Sequence, residues 1–126
     1  MSKITAKKRL SVYDKFKGKC AYCGCNILLS KFHIDHIEPK YRGSSQHQLN
    51  SWGSKIIKGT DHIDNLNPAC ISCNLSKSTF SIEDWRKEIE LKKDRIKKDS
   101  TNFNILLRFG LIKEITIPVI FHFETL

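Results

Sequence analysis

The sequence predicts an α+β fold: a short antiparallel hairpin and a following helix stapled together by cysteines, with flanking helices and a C-terminal strand. Three features carry that prediction. Four of the five cysteines form two Cys-x-x-Cys pairs nearly fifty residues apart. Two short apolar stretches follow the first pair, and helical spacing of apolar residues marks the segments outside both pairs. At 126 residues, with 40% hydrophobic and 28% charged residues, the chain has the size and composition of one folded domain. A domain this small buries only about two-thirds of its unfolded surface, so a staple adds what a small core lacks.

Residues 5–16 are predicted helical, because Leu10, Tyr13 and Phe16 repeat at helical spacing and Gly18 supplies a stop. The basic run Lys7-Lys8-Arg9 lies on or beside the polar face, as a solvated face or as a phosphate contact. Cys20 to Cys25 is too tight for regular structure and reads as a turn. Ile27-Leu28-Leu29 and Phe32 to Ile37 are predicted as the two hairpin strands, the second ended by Pro39 and Gly43. Ser44 to Thr60, rich in Ser, Gly, Gln and Asn, is the longest loop, and loops of that length are often functional. It carries His47 and Trp52, the latter exposed enough in context to be a DNA wedge or stacking group; His62 follows it.

A helix starts near Cys70. Another opens at Ser81 with Asp84 three residues on, a partial capping signal, and keeps Ile82, Trp85, Ile89 and Ile96 at helical spacing. Trp85 reads as its core anchor. Phe103 to Leu111 is a short further helix with Gly110 near its end. In the tail, Ile115, Ile117, Val119, Phe121 and Phe123 alternate as in a strand, which Pro118 places at an edge.

Cys20-Ala21-Tyr22-Cys23 and Cys70-Ile71-Ser72-Cys73 are two metal knuckles by spacing. Each short turn lets two thiolates face one ion, and two turns complete a closed tetrahedral set with no site left for water. That predicts a structural Zn²⁺ held by Cys20, Cys23, Cys70 and Cys73, with Cys25 as a spare. The odd cysteine count and the lack of a signal-peptide pattern at the start favour a reducing, cytoplasmic setting over a disulfide framework. No apolar run approaches the ~18 residues a membrane helix needs, so a membrane partner is not expected.

The formal charge is +9, from 22 Lys and Arg against 13 Asp and Glu. Such an excess suits a polyanion, because each neutralised phosphate releases condensed counterions. A merely basic soluble protein has the same composition, so charge alone leaves the partner open.

Between the knuckles lies His33-Ile34-Asp35-His36-Ile37-Glu38-Pro39, then Asp64-Asn65-Leu66, and the second knuckle continues as Cys73-Asn74-Leu75-Ser76-Lys77. In this order, bracketed by the cysteine pairs, the set resembles the HNH endonucleases, within the ββα-metal (His-Me finger) nucleases, from about Leu10 to Lys77. The resemblance implies an HNH domain over 1–126, its ββα-metal core about 10–80 and a helical and strand extension over 81–126. It implies that His36 is the general base, that Asp35 and Asn74 hold a catalytic Mg²⁺ or Mn²⁺, and that Asn65 is the middle motif residue. Asn65 is then expected to brace the loop carrying His36. Lys40, Arg42 and Lys77 are the candidates for phosphate contacts, and the implied substrate is DNA, with RNA also open.

The chemistry accounts for those residue types. Phosphodiester hydrolysis needs an activated water and a cation at the scissile phosphate. Neutral imidazole serves the first need near pH 7. Oxygen ligands suit Mg²⁺ or Mn²⁺, and few protein ligands leave positions for phosphate and water. Two local points stay open. Asn74 follows Cys73 as Gly24 follows Cys23, so it also suits a left-handed backbone position. Asp35 and His36, adjacent in a strand, point to opposite faces unless the strand ends or twists there. Many metal-finger nucleases carry a further His one helical turn after the third motif residue; here that position is Ser78, and His33 is read as structural. Against the endonuclease reading, with its ties to restriction, phage defence or mobile elements, stand a non-catalytic zinc-stapled nucleic-acid-binding module and a protein-interaction adaptor. A homodimer cutting both strands is a further option.

Overall fold

The computed structural model describes residues 4–40 and 59–126. Arg42, His47, Trp52 and all but the last two residues of the long loop lie outside the described residues.

Helix α1 (Ala6–Asp14) begins where Thr5 accepts a hydrogen bond from Lys8 N and ends through Lys17 and Gly18, both with positive φ. A Cβ on Gly18 would sit 2.8 Å from Tyr13 Oη, so the turn needs glycine for space as well as for backbone freedom. The helix buries Val12, not Leu10, which is 46% exposed; Tyr13 and Phe16 pack from the rim. Arg9 belongs to the fold as well, since its guanidinium lies over the Phe32 ring and donates to Phe32 O at 2.7 Å.

The predicted antiparallel strand pair forms, with the partner strand corrected. Strand β1 (His33–His36) pairs antiparallel with β2 (Leu66–Ala69), in the register His33 with Ala69 through His36 with Leu66. The stretch Ile27-Leu28-Leu29 is not a strand: Ile27 turns into the core while Leu28 and Leu29 stay exposed. Its neighbourhood instead closes the first knuckle through a single bridge, Lys19 to Asn26. All four residues of β2 are buried, and Pro68, which has no N–H, uses its carbonyl to accept from Ala21 N at 2.8 Å.

A 3₁₀ turn (Ile63–Asn65) leads into β2, and helix α2 (Ile71–Lys77) follows it, capped by the Cys70 sulfur accepting from Cys73 N. Helix α1 packs on β2 and α2 on β1. Helix α3 (Ile82–Asp99) starts at Ser81, whose side chain accepts from Asp84 N, and α4 (Thr101–Arg108) starts at Ser100.

The tail is also corrected: 115–123 is not a strand. Ile115 and Ile117 are 68% and 70% exposed, while Val119, Phe121 and Phe123 face the core. Its backbone bonds go to side chains and to the first knuckle rather than to a ladder: Lys93 Nζ donates to Ile115 O, and His122 N and Phe123 N donate to Tyr22 O and Ala21 O. Phe121 stacks on Trp85 with 4.9 Å between centroids, and Tyr22 meets Trp85 edge-on. Trp85, 2% exposed, is the core anchor that its helical spacing predicts.

Candidate metal centre and hydrolytic site

The two knuckles meet. The Sγ atoms of Cys20, Cys23, Cys70 and Cys73 all lie within 4.8 Å of one another. A tetrahedral ion with metal–sulfur bonds of about 2.3 Å sets sulfurs about 3.8 Å apart. Cys23 and Cys70, one from each knuckle, have that spacing at 3.8 Å. Four thiols this close resist joint ionisation: a bond with Cys73 pulls the Cys20 thiol down to about 4, while the same bond pushes Cys73 up. Holding all four as thiolates needs a cation, so the donor set fits a metal ion and is able to bind one. Gly24, with φ +77°, lets the first knuckle turn, and a Cβ there would press on the His122 ring. Cys25 is exposed and outside the four-sulfur set.

Beside this centre, Asp35, His36 and Asn74 line one open cleft of about 370 Å³, together with Lys40 and Ser78. Asp35 and His36 are neighbours at the end of β1, one buried and the other half-buried, and both line the cleft. Asp35 is 4% exposed. Its carboxylate accepts a short hydrogen bond from Tyr22 Oη and sits 3.2 Å from Lys77 Nζ. Burial pushes its pKa up, against the pull of the Lys77 charge. Burial and the Asp35 charge push the Tyr22 phenol far up, so it stays a donor. Behind them, Asn67 donates to Tyr22 Oη and accepts from Lys15 Nζ.

Asn74 lies inside α2 and is not among the positive-φ residues, so the left-handed backbone alternative is removed. Its side-chain nitrogen is 2.8 Å from His33 Nδ1. Asn65 braces the turn after β1: its Oδ1 accepts from Glu38 N, and its Nδ2 donates to Glu38 O and Thr60 O.

Of the expected phosphate contacts, Lys77 is corrected. It is fully buried, and its ammonium donates to His36 O at 3.1 Å and Ile37 O at 3.2 Å besides pairing with Asp35. Three fixed acceptors and no exposed surface leave nothing to offer a phosphate. Lys40 stays at the cleft wall, paired with Asp61 at 2.8 Å.

Asp61 and Tyr22 are the site neighbours that spacing missed. Asp61 Oδ1 is 2.8 Å from His36 Nε2, although nothing in the motif singles out a carboxylate four residues before Asn65. Tyr22 is hidden inside a knuckle, where only the cysteines draw notice.

Among described residues, no helix is long and apolar enough to cross a membrane. Residues 20–80 match the HNH endonuclease family. A SPbeta prophage-derived protein of Bacillus subtilis (strain 168), named as an HNH endonuclease, is 32% identical over 83 residues, 57% of this chain and 28% of that protein. The chain thus spans under a third of that relative's length. The crystal structure of the Type II-C Cas9 enzyme from Actinomyces naeslundii matches 67% of this chain and 8% of its own, with a TM-score of 0.51 and 24% identity, a likeness of fold. The knuckles, the β1–β2 pair and α2 all fall within the segment that matches the HNH endonuclease family.

Proposed function

We propose that the chain is a metal-dependent endonuclease that hydrolyses phosphodiester bonds of DNA. The observation that carries this reading is the convergence of Asp35, His36 and Asn74 on one open cleft. The relative named as an HNH endonuclease and the basic charge of +9 support it.

In this reading His36 takes the proton of the attacking water. Asp35 and Asn74 are the oxygen donors for Mg²⁺ or Mn²⁺, which when bound places positive charge at the scissile phosphate and the leaving oxygen. One carboxylate and one amide make a sparse donor pair, which suits a hard ion that keeps waters and takes phosphate oxygens as further ligands. Lys77 steadies the buried Asp35 carboxylate and ties down the His36 and Ile37 carbonyls, so the strand end holds its shape before substrate arrives. Asn65 does the same from the other side of the turn. Lys40 and Arg42 are the candidates for phosphate contacts, and the four-cysteine centre holds a structural Zn²⁺ that keeps α2, and so Asn74, against β1.

Supercoiled plasmid incubated with Mg²⁺ or Mn²⁺ tests this. Wild type is expected to nick or cut it, and His36→Ala, folded and zinc-loaded, to lose the activity. Equal cleavage by the two proteins refutes the base assignment. No cleavage of DNA or RNA with either metal favours the non-catalytic binding module.

A further inference from the structure

A carboxylate outside the expected motif meets the proposed base. Asp61 Oδ1 stands 2.8 Å from His36 Nε2, and the Asp61 and His36 side chains are 18% and 17% exposed. Its other oxygen takes Lys40 Nζ at 2.8 Å. Chance contact between two loops is a poor account of this pair, because the two segments are laced together around it. Gly59 N donates to Pro39 O, Asn65 Nδ2 bridges Glu38 O and Thr60 O, and Ile37 N donates to Asn65 O. These bonds hold the 59–65 segment against the 37–40 turn, with Asp61 facing the ring.

We infer that Asp61 is a positioning residue that sets the tautomer and rotation of His36, an inference that rests on the nuclease reading of the same site. An ionised carboxylate only accepts, so of the two neutral tautomers it selects the one with its proton on Nε2. The lone pair then lies on Nδ1, the atom left to receive the proton of the attacking water. When that proton arrives, the imidazolium charge forms against Asp61, which steadies it without taking the proton itself. Lys40 holds the second carboxylate oxygen, so Asp61 turns less freely away from the ring. The role is distinct from that of Asp35, whose carboxylate faces Tyr22 and Lys77 on the buried side of β1.

Two measurements on the zinc-loaded protein test the assignment. Long-range ¹H–¹⁵N spectra of the wild-type imidazoles are expected to show the neutral His36 ring protonated on Nε2; protonation on Nδ1 overturns the inference whatever the protein cleaves. Plasmid nicking with Mg²⁺ is then compared across variants. Asp61→Asn is expected to lower kcat by about 10²-fold or more with KM within about threefold, because the amide can donate to Nε2 and force the other tautomer. Asp61→Ala, which lets water fill the gap, is expected to fall less far than Asp61→Asn, an order that a purely structural Lys40 pair does not produce. Wild-type kcat in both variants, while His36→Ala is dead, overturns the role of Asp61 and leaves the nuclease reading standing. If wild type itself does not cleave, the nuclease reading fails and the spectra decide: a tautomer unchanged by Asp61→Asn overturns the inference, and a shift toward Nδ1–H upholds the pairing.

Discussion

Replacing Lys77 by methionine separates the two roles a lysine in this motif can take. A phosphate-contacting lysine is at the surface, and its loss weakens DNA binding while leaving stability alone. The lysine seen here is fully buried, with its ammonium 3.2 Å from Asp35, 3.1 Å from His36 O and 3.2 Å from Ile37 O. Methionine fills much of the same volume, so the cavity left behind is small and the cost is electrostatic. Breaking a buried pair by removing one partner costs about 3–5 kcal/mol, since the surviving charge keeps its desolvation without its counterion. Tyr22 still donates to Asp35, which places the expected loss toward the lower end, about 3 kcal/mol. Against a total stability of about 5–15 kcal/mol this is a large fraction. Lys77→Met with Asp35→Asn removes both charges, and about 1–3 kcal/mol should remain for the two carbonyls left without a donor.

The pH dependence has a definite sign. Burial already holds Asp35 above its ordinary 3.8 despite Lys77, and losing Lys77 lifts it further. A carboxylate raised in the folded state favours the protonated fold, so stability is lost as pH rises through the folded value. The deficit of Lys77→Met relative to wild type should be full above that value and narrow as pH falls toward 3.8. Urea unfolding of the zinc-loaded proteins at several pH values measures it. A loss under about 1 kcal/mol, accompanied by a fall of about one in the salt slope of DNA binding, refutes the buried role and restores the phosphate contact.

Three other outcomes follow from the same geometry. Metal analysis should find about one zinc per chain in wild type and in Cys25→Ser, and chelation or Cys73→Ser should abolish the cooperative unfolding transition, as in small domains that fold on zinc; zinc lost from Cys25→Ser alone means the ligand set is wrong. Phe121→Ala should cost about 3–5 kcal/mol by calorimetry, because the ring is 3% exposed, stacks on Trp85 and lies under the Arg86 guanidinium; a loss below 1 kcal/mol means that the tail does not dock there. Gly59→Ala places a Cβ 1.6 Å from Glu38 O and 2.8 Å from Asn65 Nδ2, so the turn after β1 must shift; cleavage should fall about 10²-fold while zinc is retained, and an active, unshifted variant counts against the brace.

What could be read from the chain alone divides by the distance over which each feature is decided. Helix starts at Thr5 and Ser81 and the glycine stop at Gly18 are settled within a few residues, and the sequence signals for them hold. The four-cysteine centre also reads well, since each half is a local turn and only their meeting is remote. The β1 partner did not, because Leu66-Asn67-Pro68-Ala69 has little strand propensity and is a strand only through burial and pairing with residues some thirty positions earlier. The C-terminal tail erred the other way: its alternation is real, but with no ladder available only Val119, Phe121 and Phe123 turn inward.

The step from Asp35 to His36 brings both limits together. Strand geometry requires that these neighbours point apart, so a break after them is deducible from the motif alone. What makes the break is not. One residue goes inward to Tyr22 and Lys77, the other outward to Asp61, and both line the cleft where β1 ends at His36. The carbonyls of His36 and Ile37, at that end, are held by an ammonium forty residues on. A lysine chosen from the sequence as a hand for DNA is, in the fold, the pin that holds the strand end where Asp35 and His36 meet the cleft.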